Sequence, residues 1–436
     1  MPTDLLRPPP HAVATAVGGA FSDLGRPLLV GAYRDVRRAR PKPATADVAR
    51  TTFDPTRPGA IENPYAHLAQ IREHAVVINE RLGVWMMGRY GDVHAAARNN
   101  ETFSSAEAVL LRSFPVKAAI ATDPPDHTRL RRIAQPMFTS KAVHKLTSDI
   151  RHLAAEGVAV MKRGDVVDLV PALTVPLPVT IIAQILGIPR DQWPAFRVVS
   201  DKFAQLFSPR TFSEFARWFA DSVGAYLKLR SFVDAELDRR AVHPMNDLLS
   251  RLRTALDSGE LDDQEAFYYV LMVLVAGNET TTNLLGILLV RLAQDRELFA
   301  ALKAERGLLR AAVEEAARWG SPVQWVTRIA TAPHQVGQTV IPRGGRVVLF
   351  YASANRDPDK FADPNRFDVH RDTGGHIAFG HGVHFCLGAH LARLEVATAI
   401  DHLLDEVDGI ELAGPVRWAT TPSLRGPASV PVRIAG

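Results

Sequence analysis

Several things are scarce in this chain, and each scarcity excludes a class of function. There is one cysteine, Cys386, in 436 residues. That rules out an internal disulfide, a cysteine-rich zinc site and an iron–sulfur cluster. Aromatic residues make up 7%, which leaves little material for stacking on nucleic-acid bases. Net charge is small: 51 Lys and Arg face 47 Asp and Glu, for a formal +4. The whole excess lies in residues 1–50, where eight basic side chains meet four acidic ones. The remainder is formally neutral and has no global field to steer it to DNA or a membrane. No run approaches the roughly 18 apolar residues of a membrane span. The stretch from Ala12 to Ala20 is short and glycine-containing, a poor secretion signal. A reducing, cytoplasmic location is therefore expected.

What is present describes a globular protein with a large core: 47% hydrophobic and 22% charged residues. Length alone would allow two or three domains. Pro8-Pro9-Pro10, the basic run Arg34 to Lys42, Pro41 and Pro43 set residues 1–50 apart as an extension. The folded body is expected over 51–436, starting near Phe53-Asp54-Pro55. The extension has the composition of a poorly ordered tail. The alternative is that Ala12 to Val30 packs on the body or a lipid surface while the basic run meets acidic groups.

From about residue 138 to 330 the pattern is helical. One helix is well marked, opening at Asp262 with Glu265 three residues on, a capping-box-like start. It continues through Thr280 to about Val290, apolar on every face before Gly277, and so is expected to be buried all round. Beyond Trp319 the segments Val323 to Ile329, Gln338 to Ile341 and Arg346 to Phe350 read as short strands. After Cys386 a helix returns, with Leu387, Leu391 and Leu394 on one face. This order predicts a mainly α, α+β fold.

Phe379-Gly380-His381-Gly382-Val383-His384-Phe385-Cys386-Leu387-Gly388 is the most informative stretch. Its glycines permit positive φ and close backbone approach just before a helix. A cysteine at a helix N-terminus meets unpaired N–H groups and the positive dipole end, which favour the thiolate. A lone cysteine in a soluble protein is, however, most often a small buried hydrophobe. Gly380 and Gly382 do not make a dinucleotide fingerprint, because Phe385 holds the third glycine position.

The string resembles the heme-binding loop of the cytochromes P-450, Phe-Gly-x-Gly-x-His-x-Cys-x-Gly in the bacterial type, at Phe379, Gly380, Gly382, His384, Cys386 and Gly388. Three other places support the resemblance. Ala276-Gly277-Asn278-Glu279-Thr280-Thr281 resembles the oxygen-activation helix, which implies a groove at Ala276 and Gly277 and proton delivery by Glu279 and Thr280. Read without the family, those threonines simply bond back to the preceding turn. Glu315-Ala316-Ala317-Arg318 is by itself a routine i, i+3 surface pair. It is similar to the family's Glu-x-x-Arg signature, whose third partner would be Arg366. His127 and Arg131, four apart after Asp123-Pro124-Pro125-Asp126, share a helix face. With Arg328 and His384 they match the heme-propionate partners, while Arg129 and Arg132 are expected to face solvent.

The resemblance implies the cytochrome P-450 fold: one triangular, mainly helical domain with small β-sheets and heme b buried between the Asp262 helix and the helix after Cys386. It implies a monooxygenase that takes dioxygen, a hydrophobic small-molecule substrate and electrons from outside. No flavin or nicotinamide fingerprint is visible, so a separate ferredoxin or flavodoxin with its NAD(P)H-dependent reductase is implied. Arg129, Arg132 and Arg393 are its expected contacts. A hydrogen-peroxide-driven peroxygenase and a heme-bound ligand carrier or sensor are the alternatives, both disfavoured by Glu279-Thr280. Expected pocket residues are Leu271, Met272, Val275, Val323 and Trp325, with Leu110, Leu111, Phe114 and Val116 from the loop 109–120. Arg112 or Lys117 would hold a substrate carboxylate, or else point to water.

Overall fold

The computed structural model describes residues 48–106, 108, 111, 116–193, 196, 212–419 and 421–435, with the backbone alone for 212–223 and 225. The expected extension, apart from its last three residues, lies outside that range, as do Leu110, Arg112 and Phe114. The described residues fall into two compact units, one drawn from 105–137 and 182–276, the other from 48–104, 138–181 and 277–435.

In the first unit, helix Leu248–Asp257 packs against both Phe212–Val242 and Asp126–Ala134. Arg240 is buried there and is held by Glu236 at 2.9 Å and Asp247 at 2.8 Å. Asp247 also caps Leu248–Asp257 by accepting from the Ser250 amide at 2.8 Å.

The second unit carries a five-stranded sheet in the order Val77–Asn79, Val84–Met87, Arg346–Leu349, Val326–Ala330, Phe103–Ser104. Trp85 pairs in parallel with Val347, and Arg328 lies antiparallel opposite Val347. Trp85, Met86, Val347, Val348 and Leu349 are all essentially inaccessible, so these strands are covered on both faces and read as apolar runs. The first described residues are tied to this sheet: the Thr51 amide donates to the Ile78 carbonyl, and the Ile78 amide to that of Ala49. Helix Ala389–Glu406 packs on Thr147–Met161 and Leu309–Gly320.

The long helix runs Asp263–Gln294, one turn beyond the expected end. Its start is a reciprocal capping box. Asp262 Oδ1 accepts from the Glu265 amide at 2.7 Å, and the Asp262 amide donates to Glu265 Oε2 at 3.0 Å. By length and composition this helix passes as a membrane span, which the run-by-run reading did not foresee, but 72% of its apolar window is buried in the protein. It is a core helix. It is not buried all round, however: Ala276 is exposed and Met272, Val275, Gly277, Glu279 and Thr280 are partly so. Residues 272, 276, 279 and 280 share one face, giving an otherwise covered helix a single open stripe.

Candidate active site

The cysteine loop is fixed by its own backbone. Gly380 and Gly382 have φ of +73° and +70°, and a Cβ on Gly382 would lie 2.9 Å from the Ala97 carbonyl oxygen. Only glycine combines that conformation with that approach. The Cys386 amide donates to the Phe379 carbonyl at 2.8 Å, closing the loop. Helix Ala389–Glu406 begins three residues after Cys386, with Gly388 as its cap. The thiol therefore stands just before the helix rather than on its first turn, separated from it by Leu387 and the capping Gly388. Leu387 accordingly precedes the helix, while Leu391 is buried within it.

Neighbours brace the loop. The Arg393 guanidinium lies 4.2 Å from the Phe379 ring centroid, and Glu314 binds both Arg393 and His376 Nε2, the latter at 2.9 Å. Burial alone would raise the Glu314 carboxyl, but hydrogen bonds from His376 and Arg393 outweigh it and hold it down at about 2. Glu315 and Arg318 are wholly buried and paired twice, at 2.7 and 2.8 Å. This is no surface ion pair. The third member of the cluster is Arg371, at 3.4 Å from Glu315 Oε1; among the described residues Arg366 contributes its carbonyl, to Arg318 and Arg371. The chain turns at Asp363, where φ is +44°, which brings Arg371 rather than Arg366 back to the helix.

Glu279 sits in the middle of the long helix. Its Oε1 accepts from the Thr421 hydroxyl at 2.9 Å. Burial raises its carboxyl to about 7, with Thr421 pulling the other way. Of the neighbouring threonines, Thr282 bonds to the Thr174 carbonyl and to Asn278, not back to its own helix backbone. Further along the cysteine helix Glu395 is 1% exposed, and burial raises its carboxyl well above the usual range.

Gly277, Glu279, Thr280, Arg328, Phe379, His384, Cys386 and Gly388 belong to the second unit, and His127, Arg131 and Ala276 to the first. His127 is 3% exposed, and burial followed by repulsion from Arg131 lowers its pKa. Arg129 is not a solvent-facing side chain: Glu265 binds it at 2.6 and 3.2 Å. Arg132 does face solvent, beside Glu260. Lys117 is taken by Asp262, so it is not the free carboxylate holder envisaged. Leu271 and Trp325 are buried, and the Trp325 indole donates to the Pro422 carbonyl at 3.0 Å. Sequence reasoning missed Thr421, Arg371, Glu314 and His376; of these only Glu314, next to the Glu-x-x-Arg acid, had any local signal.

Residues 178–408 match the family model described as cytochrome P-450. The chain belongs to that family. It is 35% identical over 393 residues to the cytochrome P-450 monooxygenase PikC of Streptomyces venezuelae, covering 85% of this chain and 91% of that one. It is 36% identical over 385 residues to the cyclomarin C epoxidase CymV of Salinispora arenicola, covering 84% and 94%. The crystal structure of cytochrome P-450 CYP109Q5 from Chondromyces apiculatus superposes with a TM-score of 0.78 at 33% identity, covering 89% and 98%. The fold is that of the family, and the protein is an oxidoreductase acting as a heme b monooxygenase.

The residues present suit heme. Cys386 is partly accessible and is flanked by Phe385, an apolar side chain left 41% exposed. Arg328 is 5% exposed and bonds to the Thr327 carbonyl and the Tyr351 hydroxyl, with no carboxylate partner among the described residues. A buried guanidinium needs an anion, and a propionate is one. Nothing lies within 4 Å of the position a Cβ would take on Gly388.

Proposed function

We propose that Cys386 ligates heme iron and that the enzyme inserts one atom of dioxygen into a hydrophobic small molecule by hydroxylation, epoxidation or dealkylation. The observation that carries this reading is the sole cysteine, held half-accessible at the end of a loop with two required glycines. Bound there, heme supplies the binding and reductive activation of dioxygen. The chain's own residues do the rest. Cys386 gives a soft thiolate; Phe379 and Gly388 shape the loop around it. By the family resemblance, His127, Arg131, Arg328 and His384 would pair the propionates. Ala276 and Gly277, with a methyl group and no side chain, would leave room beside the helix for heme. Glu279, raised to about 7, takes up and releases a proton near neutral pH, the property a general acid–base group needs, and Thr280 follows it in the chain.

Met272, Val275, Leu111 and Val116, all of one unit, are the proposed apolar lining, which favours a lipophilic substrate. The named activity of CymV supports epoxidation within the range. Electrons come from a soluble ferredoxin or flavodoxin with its NAD(P)H-dependent reductase, in the cytoplasm. Arg129 and Arg393 are paired with Glu265 and Glu314 and largely covered, so Arg132, paired with Glu260 but with its side chain 74% exposed, is the proposed contact.

The test is the ferrous carbon-monoxide spectrum of Cys386→Ser. Loss of the red-shifted thiolate Soret band is expected, and its retention would refute the ligand, since no second cysteine exists. Substrates are found by screening lipophilic compounds for a Soret shift. Turnover with hydrogen peroxide alone as fast as with a ferredoxin system would turn the reading to a peroxygenase.

A further inference from the structure

Thr421 lies 142 residues beyond Glu279 and comes from the loop between strands Arg417–Trp418 and Pro427–Ser429. That loop is pinned. The Pro422 carbonyl accepts from the Trp325 indole at 3.0 Å, the Ser423 carbonyl from the Gln324 amide at 2.8 Å, and Leu424 forms a bridge with Val323. The Thr421 hydroxyl therefore has a fixed origin. It donates to Oε1 of Glu279 at 2.9 Å. Oε2 of Glu279 makes no hydrogen bond among the described residues.

We propose that Thr421 is the positioning residue for Glu279: its hydroxyl holds Oε1 in place, so that Oε2 is the oxygen that exchanges protons with water. The proposal rests on the reading of Glu279 as the proton-delivery acid and adds the residue that orients it. A carboxylate that accepts a hydrogen bond is favoured over its acid, so Thr421 works against the burial that raises Glu279 to about 7. Without the hydroxyl the carboxyl should stay protonated to higher pH and rotate freely, giving protons less readily.

The experiment compares Thr421→Val, which keeps the branched shape, Thr421→Ser, which keeps the hydroxyl, and Thr421→Ala as a second deletion. The first readout needs no turnover. The infrared band of the protonated Glu279 carboxyl, identified by its loss in Glu279→Gln, is titrated in the resting ferric protein. Thr421→Val and Thr421→Ala should move its midpoint up by on the order of half a unit to one unit. Thr421→Ser should stay at the wild-type midpoint. The second readout is product formed per reduced nicotinamide across pH, whose optimum should move by the same amount in the same variants. An unmoved midpoint in both deletions overturns the positioning role. Wild-type coupling in Glu279→Gln instead sinks the acid itself, and the proposal with it, even where the midpoint has moved.

Discussion

Replacing Glu279 by Gln should make the protein more stable at pH 8 while changing little at pH 4.5. The carboxyl is raised by burial from 4.5 to about 7. Below 4.5 it is protonated in folded and unfolded chains alike. As pH rises from there the unfolded chain ionises first, the folded chain keeps the extra proton, and stability falls. Above about 7 both forms are ionised and the full penalty remains. About 2.5 units at about 1.4 kcal/mol each gives roughly 3 kcal/mol. Spread over 436 residues at about 2.1 cal/mol/K per residue, that is a melting difference of about 3 °C. Gln keeps an oxygen for the Thr421 hydroxyl, so geometry changes little. The assay is the melting midpoint of wild type and Glu279→Gln holoprotein from pH 5 to 8. The variant's advantage should grow with pH by about that amount. Parallel curves would mean that the carboxyl is well solvated after all, and its use near neutral pH would lose its basis.

Thr280→Ala should bind substrate with an ordinary Soret shift yet divert electrons to hydrogen peroxide; reduced nicotinamide consumed is compared with product and peroxide formed, and unchanged coupling would remove Thr280 from proton delivery. Arg318→Met leaves Glu315, at 0% side-chain exposure, with only the Asp368 amide at 2.9 Å and Arg371 at 3.4 Å. Breaking such a buried pair costs about 3–5 kcal/mol, so a melting midpoint lower by several degrees is expected, and an unchanged one would show that Arg371 replaces the lost partner.

The parts of the site that could be read from sequence were those whose chemistry is local. The cysteine loop needs positive φ at Gly380 and Gly382 and a thiol a few residues on, so its whole requirement fits in ten consecutive residues. The cap at Asp262 and Glu265 is similarly local, and the structure returns both of its hydrogen bonds. The long helix was visible because an apolar run with a capping box has few alternatives. Its open stripe at 272, 276, 279 and 280 was not, because exposure depends on what the rest of the chain leaves uncovered.

Charges were the least legible element, for a physical reason. A guanidinium has reach and five donors, so its partner is decided by packing rather than by neighbours in sequence. Arg129 reads as a solvated side chain on a basic helix, yet Glu265, 136 residues away, binds it twice. Arg366 sits in the expected place for the buried triad, but the turn at Asp363 delivers Arg371 instead. The same logic applies to Glu279. An acid in an apolar helix announces that something must stabilise it, and the sequence supplies that demand without the answer. The answer is a threonine on a distant loop, one hydroxyl against the burial that raises the carboxyl. Because that single bond is outweighed, the carboxyl stays near 7 rather than near 4, and the partial compensation is what keeps it able to move a proton.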